Sequence, residues 1–487
     1  MRKLDQILAG VDVLQIVGDQ SVVVTDVVLD SRKAETGSLF IAVKGAVVDG
    51  HKFIDGVVEK GAVVIVCEDI PQQCSPNVTY VQVENSHEVT GIVASNFFGN
   101  PSAKLKLVGV TGTNGKTTVT TLLYDLFKSL DEKCGLISTV KILVGEKEYK
   151  TINTTPDAVT LNRYFAEMVD DGVGYCFMEV SSHGIHQGRT KALSFAGGVF
   201  TNLSHDHLDY HKTFAEYRDV KKSFFDGLSK EAFSLTNLDD KNGEIMLQNT
   251  VSKKYTYSLK SASDFKAKVL ENQFSGLLLT IDGVEAWVKL IGSFNAYNLL
   301  AVYGVATLLG KEKIAILTAM SSLKSVSGRF QYFVSDTGVT AIIDYAHTPD
   351  ALKNVLSTIQ DIRMGSEKVI TVVGCGGDRD RDKRPKMAKI AAMMSDQAVF
   401  TSDNPRSEDP QEIITQMERG VVGELQSKTI SVLDREQGIK VACSFANPKD
   451  IVLVAGKGHE TYQEVKGVRT HFDDMEKTKE LLKLMNK

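Results

Sequence analysis

Lys116 and Thr117 follow a glycine at the point where an apolar, β-branched run (Leu107, Val108, Val110) has stopped at Gly112 and a helix-compatible pattern begins near Thr118. A short polar loop between strand and helix leaves backbone N–H groups to face a polyphosphate, and the helix N-terminus adds its partial positive charge. Gly112, Thr113, Asn114, Gly115 and Thr118 would form such a cradle, with Lys116 reaching the β- and γ-phosphates and Thr117 offering its hydroxyl to Mg²⁺. The general phosphate-loop pattern wants glycine at 110, where this chain has Val110, so Gly-Lys-Thr with Gly112 behind it is what survives. The plain alternative is a glycine-rich turn without a ligand. Gly-Lys-Thr at a strand–helix junction has a mechanism behind it and favours phosphate.

Two other strand ends carry acids and histidines: Glu179-Val-Ser-Ser-His183, and Thr201-Asn-Leu-Ser-His205-Asp-His207-Leu-Asp209-Tyr-His211. An acid at a strand end beside a phosphate loop is the usual Mg²⁺ holder, which is the role expected of Glu179. The histidine spacing matches no standard zinc pattern, so each histidine alone reads as a hydrogen-bonding structural residue. Lys221 and Lys222 lie in a helical stretch over 214–228, where the pattern alone gives a solvated face. Asn295 and Asn298 open an apolar helix over 294–309, as caps or as partners of an adenine edge.

The elements that must position these residues are those of an α/β protein. A chain of 487 residues exceeds one ordinary core, and length alone suggests about three domains. Its 43% hydrophobic and 24% charged content is ordinary for soluble proteins, and a net charge of -5 gives no general attraction to nucleic acid or anionic membranes. No apolar run approaches a membrane span, and the six cysteines show no C-x-x-C pair, which fits buried free thiols in a reducing cytoplasm. Strands are expected over 22–29, 38–43 and 61–67, then a linker over 101–106. Alternating strands and helices follow, with an antiparallel extension over 252–290. After Gly328-Arg329-Phe330 the pattern restarts, with strands ending in Asp344-Tyr-Ala-His347, Gly374-Cys-Gly-Gly-Asp378-Arg379, Asp403-Asn-Pro-Arg406 and Gly456-Lys-Gly-His-Glu460. Repeated strand-then-polar-loop units imply a doubly wound sheet with a crevice at the strand ends.

Together, Thr111-Gly-Thr-Asn-Gly-Lys-Thr-Thr118, Glu179-Val-Ser-Ser-His183, Asp206-His-Leu-Asp209, Phe294-Asn-Ala-Tyr-Asn298 and Asp344-Tyr-Ala-His347 resemble, in order, the motifs of the Mur ligases. These are ATP-dependent amide-forming enzymes of peptidoglycan synthesis, and a residue other than glycine at 110 is normal among them. Leu29-Asp-Ser-Arg32, Asn153-Thr-Thr-Pro156 and Gln187-Gly-Arg189 resemble the branch that adds the third amino acid. The resemblance implies an N-terminal uridine-nucleotide domain over 1–100, a central ATPase over 101–328 and a C-terminal Rossmann-like domain over 329–487.

Carried over residue by residue, it implies that Leu29, Ser31 and the backbone of Ala46, Val47 and Val48 hold the uridine diphosphate. Asn153, Thr154, Thr155, Ser182, Gln187 and Arg189 would grip the muramoyl-dipeptide. Thr117, Glu179, His207 and Lys221, the last as a carbamate (N6-carboxylysine), match the Mg²⁺ positions, and Asn295, Asn298, Arg329, Asp344 and His347 line the nucleotide. Arg379, Asp403, Asn404, Pro405, Arg406, Gly456 and Glu460 match a loop set that selects meso-diaminopimelate. Diaminopimelate differs from lysine by a distal carboxylate, with which Arg406 could pair bidentately, whereas lysine would bring only an ammonium. The expected enzyme is a cytoplasmic monomer acting on UDP-N-acetylmuramoyl-L-alanyl-D-glutamate, ATP and diaminopimelate through an acyl phosphate. Its rivals are the same ligase using L-lysine, a folate- or cyanophycin-type ligase with a similar core, and a nucleotide-gated switch.

Overall fold

Short β-branched strands alternating with amphipathic helices sort along the chain into three large sheets among the described residues; the computed structural model describes 1–45, 48–151, 153–207 and 210–487. The first sheet runs Val13–Val17, Thr79–Val83, Val64–Cys67, Ser38–Ile41, Asp26–Val28, parallel except for its first pair. Ser38–Ile41 and Val64–Cys67 are buried at every position, the signature of parallel strands covered on both faces. The single strand expected over 22–29 is divided. Val23–Val24 pairs with Arg2–Lys3, and the chain changes partner at Thr25, whose N–H donates to the Gly37 carbonyl at 2.8 Å, before Asp26–Val28 joins the sheet.

Residues 101–106 are not an open linker. Pro101–Lys104 forms a 3₁₀ turn with Pro101 and Ser102 buried, and Lys106 already belongs to the strand Lys106–Thr111. That strand lies between Tyr175–Glu179 and Gly197–Phe200, all parallel, so their carboxyl ends open on one edge. Phe233–Asn237 and Lys253–Ser258 extend the sheet, also in parallel; the antiparallel extension expected from 252 begins only with Phe265–Gln273. Side-chain alternation reports a half-buried strand but not its direction, which is why the reading failed there.

The helices Lys116–Ser129 and Ser293–Leu308 cover one face of this sheet through Val119, Leu122, Leu126, Leu299, Leu300 and Tyr303. Ser293–Leu308 is apolar nearly all round because it is buried nearly all round. On the other face, Phe224 and Phe225 of the helix Phe214–Asp226 enter the core beside Phe165 and Met168, which carries Lys221 and Lys222 inward. The third sheet runs Gln331–Val334, Thr340–Asp344, Ile451–Ala455, Val369–Val373, Gln397–Phe400, Thr429–Ser431, parallel after its first pair. Its carboxyl ends carry Asp344, Gly374, Thr401 and Gly456 to one crevice. All six cysteines are free, although Cys74 is exposed rather than buried. Among the described residues no helix is long and apolar enough to cross a membrane.

Candidate active site

Val110 explains why the loop departs from the general pattern. It is fully buried in the strand and paired with Glu179, so the strand continues through Thr111 and the loop opens only at Gly112. Gly112 has φ +147, and a Cβ there would lie 2.0 Å from Thr201 Oγ1. The helix starts at Lys116, two residues earlier than its pattern suggests, with Gly115 at φ +88 as N-cap and no side-chain cap among the described residues. The loop is held from behind: Thr113 N donates to Asn202 O (2.8 Å), Asn114 N to Asn202 Oδ1 (2.9 Å), and Thr201 Oγ1 to Asn114 O (2.6 Å). A helix end without a cap, on a backbone fixed by its neighbours, is suited to an anion.

Two lysines meet at this loop. Lys116 Nζ donates to Gly112 O (2.9 Å) and Thr113 O (2.7 Å), and burial pushes its amine below the ordinary lysine range against the pull of Glu179 and Asp206. Lys221, expected on pattern alone to be solvated, is 1% exposed; its Nζ donates to Gly112 O at 2.9 Å and stands 4.8 Å from the centre of the Tyr217 ring. Burial, then the neighbouring charge of Lys116, holds the Lys221 amine well below its usual range.

Glu179 is fully buried and accepts from Thr139 N (2.7 Å) and Thr139 Oγ1 (3.2 Å). His207 has φ +56 and places Nε2 3.5 Å from Asp206 Oδ2. Burial pushes His207 down to about 3, with Asp206 opposing. Burial works to raise Asp206, but His207, His347 and Lys383 outweigh it and hold it at about 2. From the C-terminal unit, Arg329 donates to Thr117 Oγ1 (3.1 Å) and stacks 4.4 Å from the Tyr345 ring centre. Asp344 accepts from Phe330 N at 2.6 Å, and burial pushes it up to about 6 despite Arg329 and two backbone N–H groups. Burial lowers His347 to about 4, and its Nδ1 lies 2.9 Å from Tyr345 O.

These groups line one cavity of about 1290 Å³ between the central and C-terminal units. Of the residues singled out in the sequence, Thr113, Asn114, Gly115, Lys116, Thr117, Thr118, Glu179, His207, Lys221, Asn298, Arg329, Asp344 and His347 line it. So do Asn153, Thr154, Thr155, Ser182, Arg189, Arg379, Arg406 and Glu460. Ser182 is buried with its hydroxyl lacking a partner among the described residues. Arg189 donates to Thr155 O (2.6 Å) and to Gln187 Oε1 (2.5 Å), so Gln187 stands behind the wall and orients the arginine.

Other expected residues lie elsewhere. Asn295 is turned into its own helix end, donating to Ile291 O (2.7 Å) and accepting from Asn298 (3.0 Å), so Asn298 is the asparagine that faces the cavity. Asp403 is buried behind its loop, and Asn404 is tied to Glu460 (2.7 Å) and Lys457 (3.1 Å). Pro405 and Gly456 are backbone spacers, and a Cβ on Gly456 would lie 2.6 Å from Asp403 Oδ2. Leu29 and Ser31 sit at a strand end of the N-terminal sheet, apart from the cavity, with Ser31 O accepting from Lys60 (2.8 Å). Val48 is exposed, and Ala46 and Val47 lie outside the described residues. The cavity also includes Thr139, Tyr462 and Arg469, which no motif had marked, and Asn202, Tyr297, Tyr345 and His459, which stand inside the quoted motifs without having been given a role. Those four were legible as neighbours of singled-out residues; Thr139, Tyr462 and Arg469 carried no signal.

Family models match the chain in three blocks: one described as the Mur ligase family catalytic domain over residues 23–98, the Mur ligase middle domain over 110–306, and the Mur ligase glutamate ligase domain over 328–458. A UDP-N-acetylmuramoyl-L-alanyl-D-glutamate–2,6-diaminopimelate ligase of Cytophaga hutchinsonii is 54% identical over 486 residues, covering 100% of each chain. The ligase of the same name from Phocaeicola vulgatus is 55% identical, over 97% of this chain and 98% of its own. Among solved structures, one of a ligase with that name is similar with a TM-score of 0.69 at 30% identity, covering 100% of this chain and 99% of its own.

Proposed function

The chain belongs to the Mur ligase family, ATP-dependent ligases of three-domain α/β architecture, and from that premise we propose that it joins meso-2,6-diaminopimelate to UDP-N-acetylmuramoyl-L-alanyl-D-glutamate. The observation that carries this reading is one cavity lined both by a phosphate loop and by Arg406. A γ-carboxylate oxygen of the glutamyl group attacks the γ-phosphorus of ATP, ADP leaves, and an acyl phosphate forms. The free amine of diaminopimelate then attacks the acyl carbon, loses a proton and expels phosphate. Lys116, now folded onto its own loop carbonyls, turns to the phosphate oxygens and stabilises the charge that develops there. Ser182, Thr155 and Arg189 orient the carboxylate, and Arg406 with Arg379 receives the distal carboxylate of the incoming amino acid.

Thr117, Glu179, His207 and a carbamate on Lys221 are the residues that would hold Mg²⁺. The donor set fits: Glu179 and Thr117 bring hard oxygens to the cavity, and Mg²⁺ typically takes one or two carboxylates together with substrate phosphates. An ammonium on Lys221 does not fit such a set, whereas a carbamate oxygen does. When bound, Mg²⁺ neutralises charge on the transferring phosphoryl group. The uridine nucleotide is assigned to the N-terminal unit, through the strand end at Leu29 and Ser31. We place the enzyme in the cytoplasm, where ATP and nucleotide-linked precursors are found, and read it as a monomer.

The test is phosphate release with ATP, Mg²⁺ and the UDP-dipeptide, in parallel with diaminopimelate, L-lysine or no amino acid. Release with diaminopimelate alone, with the matching tripeptide product, is the expected outcome. Release with lysine would keep the ligase and discard the role of Arg406. Arg406→Ala separates the contacts further: diaminopimelate use falls sharply while affinity for the uridine nucleotide is spared.

A further inference from the structure

Arg406 lies in the left-handed region at φ +52, where side chains other than glycine are uncommon and persist because surrounding contacts impose them. Those contacts come from a hairpin that no motif had marked, Tyr462–Val465 paired with Val468–His471. Arg406 N donates to Glu464 O at 3.1 Å, and Lys466 N donates to Arg406 O at 2.6 Å. Arg406 also bridges Val465 in parallel register, so the selecting loop lies along the hairpin as a further short strand. Two more bonds fix the start of the loop: Gln463 Nε2 donates to Asp403 O (2.7 Å), and Glu464 N donates to Asn404 Oδ1 (2.9 Å). Strand alternation divides the work. Tyr462 and Glu464 face the cavity, while Gln463 between them points to the loop backbone.

A two-stranded ribbon is marginal by itself, and every residue of Val468–His471 is exposed. The ribbon is braced within: Arg469 stacks 4.4 Å from the Tyr462 ring centre and donates to Glu464 Oε2 at 2.9 Å. Its inner edge is thereby fixed, and the loop takes its shape from that edge. With the backbone so held, the Arg406 guanidinium donates to Gly377 O (2.7 Å) beside the cavity.

We propose that this hairpin sets amino-acid selectivity by holding Arg406 in place, with Gln463 as the positioning residue. The proposal rests on the reading of Arg406 given above. Gln463 touches no substrate in this scheme; its side-chain amide fixes the Asp403 carbonyl, and through it the turn that aims the arginine.

The experiment compares wild type with Gln463→Leu, which keeps bulk and removes the donor, measuring KM for diaminopimelate, ATP and the UDP-dipeptide separately. The expected result is a rise of about tenfold in KM for diaminopimelate, the size of one lost hydrogen bond. The other two constants stay within about twofold, kcat at saturating diaminopimelate is kept, and the preference over L-lysine narrows. Should the leucine variant fold poorly, Gln463→Glu, which stays polar but cannot donate, is read in the same way. Three constants that move together, or none that moves, overturn the hairpin's role. A wild type inert with diaminopimelate overturns the functional reading instead, so the two failures are told apart.

Discussion

Lys116 and Lys221 present their amines to a single oxygen, each Nζ lying 2.9 Å from the carbonyl of Gly112. A bound polyphosphate gives Lys116 an anionic partner. Lys221, walled in by Tyr217 and the loop backbone, is a costly place for a cation, and burial together with the Lys116 charge favours its neutral amine. Reaction of its neutral amine with CO₂ resolves the conflict by turning a cation into an oxygen ligand. Enzyme equilibrated with ¹³C-bicarbonate is therefore expected to show a carbamate carbon in its NMR spectrum that Lys221→Met lacks. The methionine variant should fold and bind ATP yet lose at least about a hundredfold in kcat, in keeping with loss of a transition-state charge contact. A fully active Lys221→Met would end the carbamate idea.

Gly112 tests the loop itself. At φ +147, with Thr201 Oγ1 2.0 Å from a would-be Cβ, alanine must push apart the strands that carry the loop. Gly112→Ala is expected to weaken ATP binding by at least about tenfold, measured by calorimetry, because the backbone N–H groups lose their common focus. Gly10→Ala is the control: φ is +73 with nothing within 4 Å, so it bears left-handed strain of about 1 kcal/mol without touching nucleotide affinity. Equal ATP affinity in the two variants would show that the loop does not cradle phosphate.

Much of this was legible in the chain, and the reasons differ by residue. The strands ending at Thr111, Asp344 and Ala455 are rich in β-branched residues, that ending at Glu179 is apolar and aromatic, all four are largely buried, and the polar residues at or just past their ends announce the crevice. Lys221 was not legible as buried, because the apolar wall that takes it in comes from Tyr217 and a loop more than a hundred residues away. Thr139, which orients Glu179 from a separate turn, left no trace in spacing. Asn295 and Asn298 look alike in sequence, and helix phase alone decides that one faces inward to its own backbone and the other to the cavity. Arg406 was legible as a charge but not as a left-handed residue, since the hairpin that imposes its backbone lies some sixty positions downstream.

Asp344 gives a stability prediction with a definite sign. Its carboxyl is raised from 3.8 to about 6 by burial, so between those values the native state keeps a proton that the unfolded chain has lost. Stability conferred by this residue therefore falls as pH rises from about 4 to about 6 and is level above, a loss of about 3 kcal/mol. Asp344→Asn keeps an acceptor for the Phe330 N–H and removes the titration. Urea denaturation at pH 4 and pH 8 should show wild type losing about 3 kcal/mol relative to the variant over that interval. Parallel curves would mean that Asp344 does not titrate in that window.

Arg435 and Asp474 bear on how the amino-acid end of the cavity stays in shape. Both side chains are fully buried and bonded twice, at 2.8 and 2.7 Å. The same guanidinium donates to Ser402 O (3.3 Å) and Ala455 O (3.2 Å), the residues directly before Asp403 and Gly456. Removing one partner strands a buried charge, so Asp474→Ala is expected to cost about 3–5 kcal/mol in urea denaturation. The double change Arg435→Met with Asp474→Leu removes both members of the pair and should recover part of that stability, with Asp403, 4.0 Å from the same guanidinium, left to Lys457 as its remaining buried cation. It cannot recover the two carbonyl contacts, so the double variant is expected to fold well yet bind diaminopimelate more weakly than wild type, with ATP affinity unchanged. A stable double variant with wild-type KM for diaminopimelate would make the pair a matter of stability alone.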